Sequence, residues 1–414
     1  MRAQILYGIG NIKYAETGMP SAGSGQALIR LRRSGICGSD IPRIFKTGAH
    51  NMPLIPGHEM MGVVEKCDER SDLEGKRVGI FPLLPCHKCR QCRSGHYEMC
   101  ENYNYLGSRC DGGFAEYVIA PVWNLIPIPD SVSDDAAAML EPMSVAVHAI
   151  RGLGLIPGSD LGPDLGETSA ETEDRPGRAT SGASVSDNPG KAADTPALDS
   201  HGGAADNTVA DTTCPNALDS NIVVCGLGTI GLFVAMFLKD AGYRNVYCIG
   251  NKDIQLKKIT EMGYARDFYC DVRRTDPVEF VKKVTGGGAD YYFECIGLPE
   301  SYSQAIKCTG PLGKVMMLGN PKADMNLDRD IYWKILRNQM TLKGTWNSSF
   351  PGFDSTGNDD WRYVLERLDK WQGGEMFFDP ESLITHRFAL DRLEDGLDIM
   401  RNKTEEYIKI MLEL

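Results

Sequence analysis

The sequence predicts an α/β protein in two parts, a β-rich domain at the amino-terminal end followed by a doubly wound parallel sheet. Three observations carry that expectation. Residues 1–156 read as short strands broken by Gly and Pro. From Asn221 onward apolar strands alternate with helical segments, and a Gly-x-Gly-x-x-Gly turn follows the first of those strands.

In the first block, residues 26–31 alternate apolar and polar side chains as a half-buried strand does. Residues 62–65 and 115–119 follow the same period. Residues 1–7 lack the apolar centre and small-residue cleavage site of a leader, so a first strand is expected there rather than a signal peptide. In the second block, residues 222–225, 246–249, 291–295 and 314–318 are apolar strands, with helices over 229–241 and 253–262. Apolar strands separated by helices imply a parallel sheet covered on both faces. The tail from Leu383 returns to mixed short elements and closes on a strand over 407–412.

Between the blocks, residues 159–219 contain no aromatic residue, Ile or Met. From Asp160 to Asp219 there are 12 acidic and 3 basic residues, so this stretch holds most of the chain's net charge of −12. Such a segment cannot bury enough apolar surface to offset its ordering entropy, and a disordered acidic insertion is expected. The rest of the 414-residue chain is close to neutral. This balance argues against a nucleic-acid partner held by bulk positive charge. No apolar run is long enough to span a bilayer, so no membrane partner and a cytoplasmic location are expected.

Thirteen cysteines, an odd number, include four within fifteen residues, which favours metal ligation over disulfides. Cys86, Cys89, Cys92 and Cys100 form C-x2-C-x2-C-x7-C. Four thiolates close a tetrahedral shell around Zn²⁺ and leave no position for substrate, so this is a structural site. An iron–sulfur cluster is the rival, because bacterial ferredoxins share the first two spacings. The last spacing here is seven rather than three, and no Pro follows Cys100.

A second set of ligand types is dispersed: Cys37 in Gly35–Asp40, His58 in Pro56–Glu59, and Glu141 between Leu140 and Pro142. Cys, His and one glutamate make a three-ligand zinc site whose fourth position accepts water or substrate. Zinc there acts as a Lewis acid on an alcohol. Taken singly, each residue has an ordinary explanation, a packed Cys or a hydrogen-bonding His or Glu.

Gly226-Leu227-Gly228-Thr229-Ile230-Gly231 follows a strand and opens a helix, the context that a dinucleotide-binding turn requires. Its glycines bring pyrophosphate close to the free N–H groups of the helix N-terminus. NAD-preferring folds place Asp or Glu at the end of the next strand. Here Gly250, Asn251 and Lys252 stand there, a pattern that suits a 2′-phosphate and keeps both NAD and NADP open. The alternative is a solvated Lys252 beside a helix cap at Asp253.

Together these segments resemble the zinc-containing medium-chain dehydrogenases, and among them the polyol and polyol-phosphate branch. The resemblance covers nearly the whole chain outside 159–219. It rests most specifically on Cys37-Gly38-Ser39-Asp40-Ile41-Pro42-Arg43-Ile44-Phe45, Pro82-Leu83-Leu84-Pro85-Cys86, Gly107-Ser108-Arg109-Cys110-Asp111-Gly112-Gly113, Leu140-Glu141-Pro142 and Leu342-Lys343-Gly344-Thr345-Trp346. It implies a GroES-like catalytic domain built from 1–156 and 346–414 around a Rossmann domain at 220–345, with the active site in the cleft between them. Cys37, His58 and Glu141 become the catalytic zinc ligands, with Glu59 ligating directly or exchanging with Glu141. Ser39 passes the alcohol proton towards solvent, and Asp40 orients His58.

The implied reaction is hydride transfer between a small-molecule polyol or sugar-alcohol phosphate and NAD or NADP, in a homo-oligomer. Arg43, Lys46 and Arg109 are candidates to hold a substrate phosphate, or else ordinary surface cations. An L-threonine- or simple-alcohol-type dehydrogenase is the alternative within the class. A non-catalytic nucleotide-binding zinc protein is the alternative outside it, disfavoured because Cys37, Ser39, His58 and Glu141 are all present. Two features depart from the family pattern: Gly250 at the acidic ribose position, and the insertion ahead of residue 222.

Overall fold

Two sheets organise the chain in the computed structural model, which describes residues 1–157, 217–375 and 378–414. The first is a seven-stranded sheet in the order Ile384–Ala389, Lys409–Glu413, Gln26–Ile36, Glu59–Lys66, Arg77–Ile80, Leu125–Pro127, with Tyr117–Pro121 also pairing with Gln26–Ile36. The second is a six-stranded parallel sheet in the order Tyr269–Asp271, Asn245–Gly250, Asn221–Cys225, Ala289–Glu294, Thr309–Met317, Thr341–Gly344. Numbered along the chain, the second set lies 3-2-1-4-5-6, the order of a doubly wound dinucleotide fold. The expected α/β class and the β-rich first part are therefore as observed.

The parallel sheet follows directly from its residues. Ile222, Val223, Val224 and Cys225 are all buried, as a central strand covered on both faces must be. Burying each of the three aliphatic side chains stabilises the fold by about 1.5–3 kcal/mol. The strand order reverses between Asn221–Cys225 and Ala289–Glu294, and ligands of open α/β sheets bind beyond the carboxyl ends of such strands. Helix Thr229–Asp240 starts there, directly after the glycine turn.

Helices interrupt the strands and turns expected for residues 1–156, among them Asp134–Ala138 and, longest of them, Leu140–Gly152. Leu140–Gly152 has nine residues buried, on several faces. It packs against helices Thr229–Asp240 and Asp360–Lys370. With no wide polar face, its sequence lacks the amphipathic stripe by which a surface helix is read.

The seven-stranded sheet positions the site. Gly35, near the end of strand Gln26–Ile36, pairs with Glu59 on one side and Met411 on the other. Cys37 follows immediately, so the carboxy-terminal strand, the Cys37 turn and the His58–Glu59 segment converge at one sheet end. Of the acidic stretch expected as an insertion at 159–219, all but the last three residues lie outside the described residues. Those three, Ala217–Asp219, form a short 3₁₀ turn, and Asp219 pairs with Arg244 at 2.7 Å. No helix of the described residues is long and apolar enough to cross a membrane.

Candidate active site and metal centres

Donor atoms of Cys37, His58 and Glu59 lie within 4.8 Å of one another. They come from two turns that the sheet brings together, one at each edge of the Gly35–Glu59 pair. The Cys37 turn is fixed by Asp40, whose Oδ2 accepts from the Cys37 N–H at 3.0 Å. Asp40 is fully buried. Its Oδ1 pairs with Arg43 and stands 3.5 Å from His58 Nδ1, an ion-pair contact rather than an aligned hydrogen bond. The Tyr105 ring meets the His58 ring edge-on, 5.9 Å between centres.

The electrostatics of this cluster favour a cation. Burial works to raise the Cys37 thiol, but the His58 charge and hydrogen bond, with Lys409 nearby, bring it down to about 6. Burial works to lower His58, but Asp40 and Cys37 raise it to about 10. A thiolate and two carboxylates around one imidazole will hold either a proton or a metal ion at the same place. The donor set of Cys, His and carboxylate, three protein ligands with room for a fourth, fits zinc.

Glu141, the other expected ligand, lies outside that close group. It stands in the first turn of helix Leu140–Gly152, lines the same cleft, and its Oε1 accepts from the Tyr105 hydroxyl at 3.3 Å. Burial is the main cause that raises it to about 7. Ser39 also lines the cleft, its hydroxyl 3.3 Å from Cys37 Sγ.

The cleft has a volume of about 400 Å³. Arg43 and His50 border it, as do Ile230, from the first turn of the glycine-loop helix, and Trp346 and Asn347. Of the three phosphate candidates only Arg43 reaches it, and Asp40 already pairs with that guanidinium. Lys46 is exposed elsewhere, and Arg109 lies 4.4 Å over the Tyr103 ring.

The cysteine cluster is a separate, closed arrangement. The four Sγ atoms of Cys86, Cys89, Cys92 and Cys100 lie within 4.8 Å of one another, with Cys89 at 3.5 Å from Cys92 and 4.0 Å from Cys100. Four sulfurs about 2.3 Å from one tetrahedral ion stand about 3.8 Å apart, so a single zinc fits. A multi-iron cluster would hold its sulfurs farther apart. Backbone N–H groups of Cys92 and Glu101 draw the Cys89 thiol down to about 6, ready to ligate as thiolate.

At the glycine turn, a β-carbon on Gly226 would come within 2.5 Å of Ile296, and one on Gly231 within 2.1 Å of the Gly226 carbonyl. Gly228 faces open space, which leaves the backbone free for close approach by a phosphate. Thr229 Oγ1 donates to the Ile408 carbonyl at 2.7 Å, tying this helix to the residue just before strand Lys409–Glu413. At the end of the next strand, the Asn251 and Lys252 N–H groups both donate to Gln255 Oε1, at 2.9 and 3.1 Å.

Sequence reasoning missed three residues of this region. Tyr105 and Gln255 carry no motif, and Lys409, whose buried ammonium donates to Glu59 Oε2, is 350 positions from its partner. Only the fold joins them.

Residues 23–130 match the alcohol dehydrogenase GroES-like domain, and residues 229–370 match the zinc-binding dehydrogenase domain. The chain is 26% identical over 400 residues to galactitol 1-phosphate 5-dehydrogenase of Escherichia coli (strain K12), covering 95% of this chain and 94% of that one. It is 24% identical over 391 residues to L-threonine 3-dehydrogenase of Shewanella woodyi, covering 92% and 91%. In fold it is similar to the crystal structure of galactitol-1-phosphate dehydrogenase from Escherichia coli, with a TM-score of 0.74, 24% identity and 100% of both chains covered. A zinc-binding dehydrogenase from Sinorhizobium meliloti bound to NADP aligns with a TM-score of 0.72, 21% identity and coverage of 100% and 99%. The two family models fall on the two sheets in the order the fold requires, and the chain belongs to the zinc-binding dehydrogenase family.

Proposed function

We propose that the protein catalyses reversible oxidation of a secondary hydroxyl on a polyol or polyol phosphate, with hydride passing to NADP. The observation that carries this reading is that Cys37, His58 and Glu59 line the same cleft as Ile230 of the glycine-turn helix. Metal donors and the nicotinamide end of a dinucleotide would therefore meet at one substrate. Ser39, His50, Ser108, Asn320 and Asn347 give the cleft the hydrogen-bonding wall that a polyhydroxylated substrate needs.

Cys37, His58 and Glu59 would hold the catalytic zinc, and Cys86, Cys89, Cys92 and Cys100 the structural one. Bound zinc would supply a Lewis acid that acidifies the substrate hydroxyl. Asp40 fixes the Cys37 turn and faces His58, keeping both donors aimed at one point. Ser39 stands beside Cys37 at the cleft wall and would carry the hydroxyl proton outward. Glu141, steadied by Tyr105, lines the cleft from helix Leu140–Gly152 and would face the substrate there. The preference for NADP is supported by Gly250, where no acidic side chain competes with a 2′-phosphate, and by Lys252 beside it.

A panel of galactitol 1-phosphate, sorbitol, xylitol and L-threonine, each with NAD and with NADP, tests this by reduced-nicotinamide absorbance. Turnover of a polyol or its phosphate, faster with NADP, is the expected result. Turnover of L-threonine alone would replace the substrate class, and no turnover by zinc-replete protein with any of the four would overturn it.

The expected homo-oligomer also has a candidate surface. Helix Arg329–Arg337 leads into Thr341–Gly344, an edge strand of the parallel sheet, and together they expose Tyr332, Trp333, Leu336 and Leu342. Apolar side chains beside an unpaired strand edge suit a second copy of the same strand. Sedimentation of the wild type against Trp333→Glu tests this.

A further inference from the structure

Glu59 faces two cations. Its carboxylate belongs to the three-donor group with Cys37 and His58, and its Oε2 also accepts from Lys409 Nζ. Lys409 is only 1% exposed and donates at 3.1 Å to the carbonyl of Ile36, the residue before Cys37. Room for the pair exists because position 35 is glycine. A β-carbon there would lie 2.2 Å from Glu59 Oε2 and 2.8 Å from Lys409 Nζ.

The two residues before Lys409 reach the other half of the site. The Ile408 carbonyl accepts from Thr229 Oγ1, on the first residue of the glycine-turn helix. The Tyr407 ring lies 5.1 Å beneath the ammonium of Lys252, beside the dinucleotide position. Three consecutive residues thus touch the dinucleotide helix, the cation next to it and a metal-ligand carboxylate.

We propose that Lys409 is a positioning residue that competes with the catalytic metal ion for Glu59, and that residues 407–409 couple this competition to dinucleotide binding. This rests on the proposed function, which places metal at Cys37, His58 and Glu59 and a dinucleotide at the glycine turn. Tyr407 and Ile408 lead directly into strand Lys409–Glu413, and consecutive Cα atoms are only about 3.8 Å apart, so displacement at Tyr407–Ile408 is felt at Lys409. A pull there weakens a contact already made and releases Glu59 to the metal. Dinucleotide therefore tightens metal, and by linkage metal tightens dinucleotide by the same factor.

The test uses the full chain with Co²⁺ at the catalytic site, following its visible absorption and its loss to excess chelator, with and without saturating NADPH. NADPH binding is measured separately by fluorescence titration. In wild type, NADPH should slow cobalt loss at least fivefold and shift the visible bands. Lys409→Met should lose cobalt slowly even without NADPH and respond less than twofold, and Lys409→Arg should restore the response. If Lys409→Met does not fold, Tyr407→Ala decides, with a response cut at least threefold expected. A full response in Lys409→Met or Tyr407→Ala overturns the proposal. So does a wild type that binds NADPH without any change in cobalt loss. A wild type that binds no dinucleotide sinks the functional reading itself, and this proposal with it.

Discussion

Gln255 Oε1 lies 2.6 Å from the point a β-carbon on Gly250 would occupy, while accepting two N–H bonds from residues 251 and 252. The Gln255 amide also donates to the Leu227 carbonyl inside the glycine turn at 3.0 Å, and the residue is buried. An amide thus fills the space in which an acidic side chain would grip ribose hydroxyls. In the proposed reading, recognition at this strand end would fall to backbone and to Lys252.

Lys252→Ala should therefore weaken NADPH about tenfold, or about 1.4 kcal/mol, while changing NADH affinity less than about twofold. Fluorescence titration with both nucleotides checks this. Equal losses for the two would show that Lys252 does not read a 2′-phosphate.

The four-cysteine site and the catalytic cluster should separate in metal analysis. Cys89→Ser is expected to reduce zinc from about two ions per chain to about one. It should also lower the unfolding temperature by more than about 5 °C, because a closed structural site contributes directly to folding. Mass spectrometry of dialysed protein and a thermal melt read the two effects. A variant that kept both ions and its melting point would rule out that site.

Glu59 and Glu141 differ in the company they keep, and their amide variants should differ likewise. Glu59→Gln removes a charged donor from the close group and leaves the buried Lys409 ammonium without its carboxylate. Loss of the catalytic ion and a fall of at least about 100-fold in turnover are expected. Glu141→Gln keeps a hydrogen-bond acceptor for Tyr105 and should retain zinc, with turnover reduced about tenfold. Zinc retained in the first and lost in the second would reverse the assignment.

A pH effect on stability is expected from helix Leu140–Gly152. His148 Nδ1 lies 2.8 Å from Asp360, a buried carboxylate that also binds Arg151 at 3.0 Å and the Ser349 N–H at 2.7 Å. Burial works to lower His148, but the Asp360 charge and hydrogen bond outweigh it and the imidazole is raised. A group whose folded value is raised stabilises most below its unfolded value of about 6.5, and that contribution is lost as pH rises through the folded value. The gap in urea midpoint between wild type and His148→Gln should be widest near pH 5.5 and shrink towards alkaline pH. A gap that grew with pH would contradict the pairing.

How much of this was legible depended on sequence distance. The cysteine spacing and the glycine turn are local patterns, and each folds into the arrangement that its spacing demands. Cys37 and His58 were readable as ligand types, but their convergence comes from the Gly35–Glu59 register, which no local pattern encodes. Helix Leu140–Gly152 escaped because burial on several faces erases helical periodicity. The different surroundings of Glu59 and Glu141 could not be read from sequence, because Lys409 beside the one and Tyr105 beside the other are tertiary contacts.

Gly35 offers the sharpest test of how tightly that last contact is built. An alanine methyl at this position overlaps both partners, at 2.2 Å from Glu59 Oε2 and 2.7 Å from Lys409 Cε. Overpacking of this kind costs about 1–3 kcal/mol, and here it should also cost the protein its catalytic ion. Shortening the lysine removes half of the clash, so Gly35→Ala should be less harmful in a Lys409→Ala background than in wild type. The double-mutant cycle should then show a coupling of about 0.5–3 kcal/mol in denaturant unfolding. Additive effects would mean that the glycine serves the strand backbone alone, and that the space above it was not shaped by the Glu59–Lys409 pair.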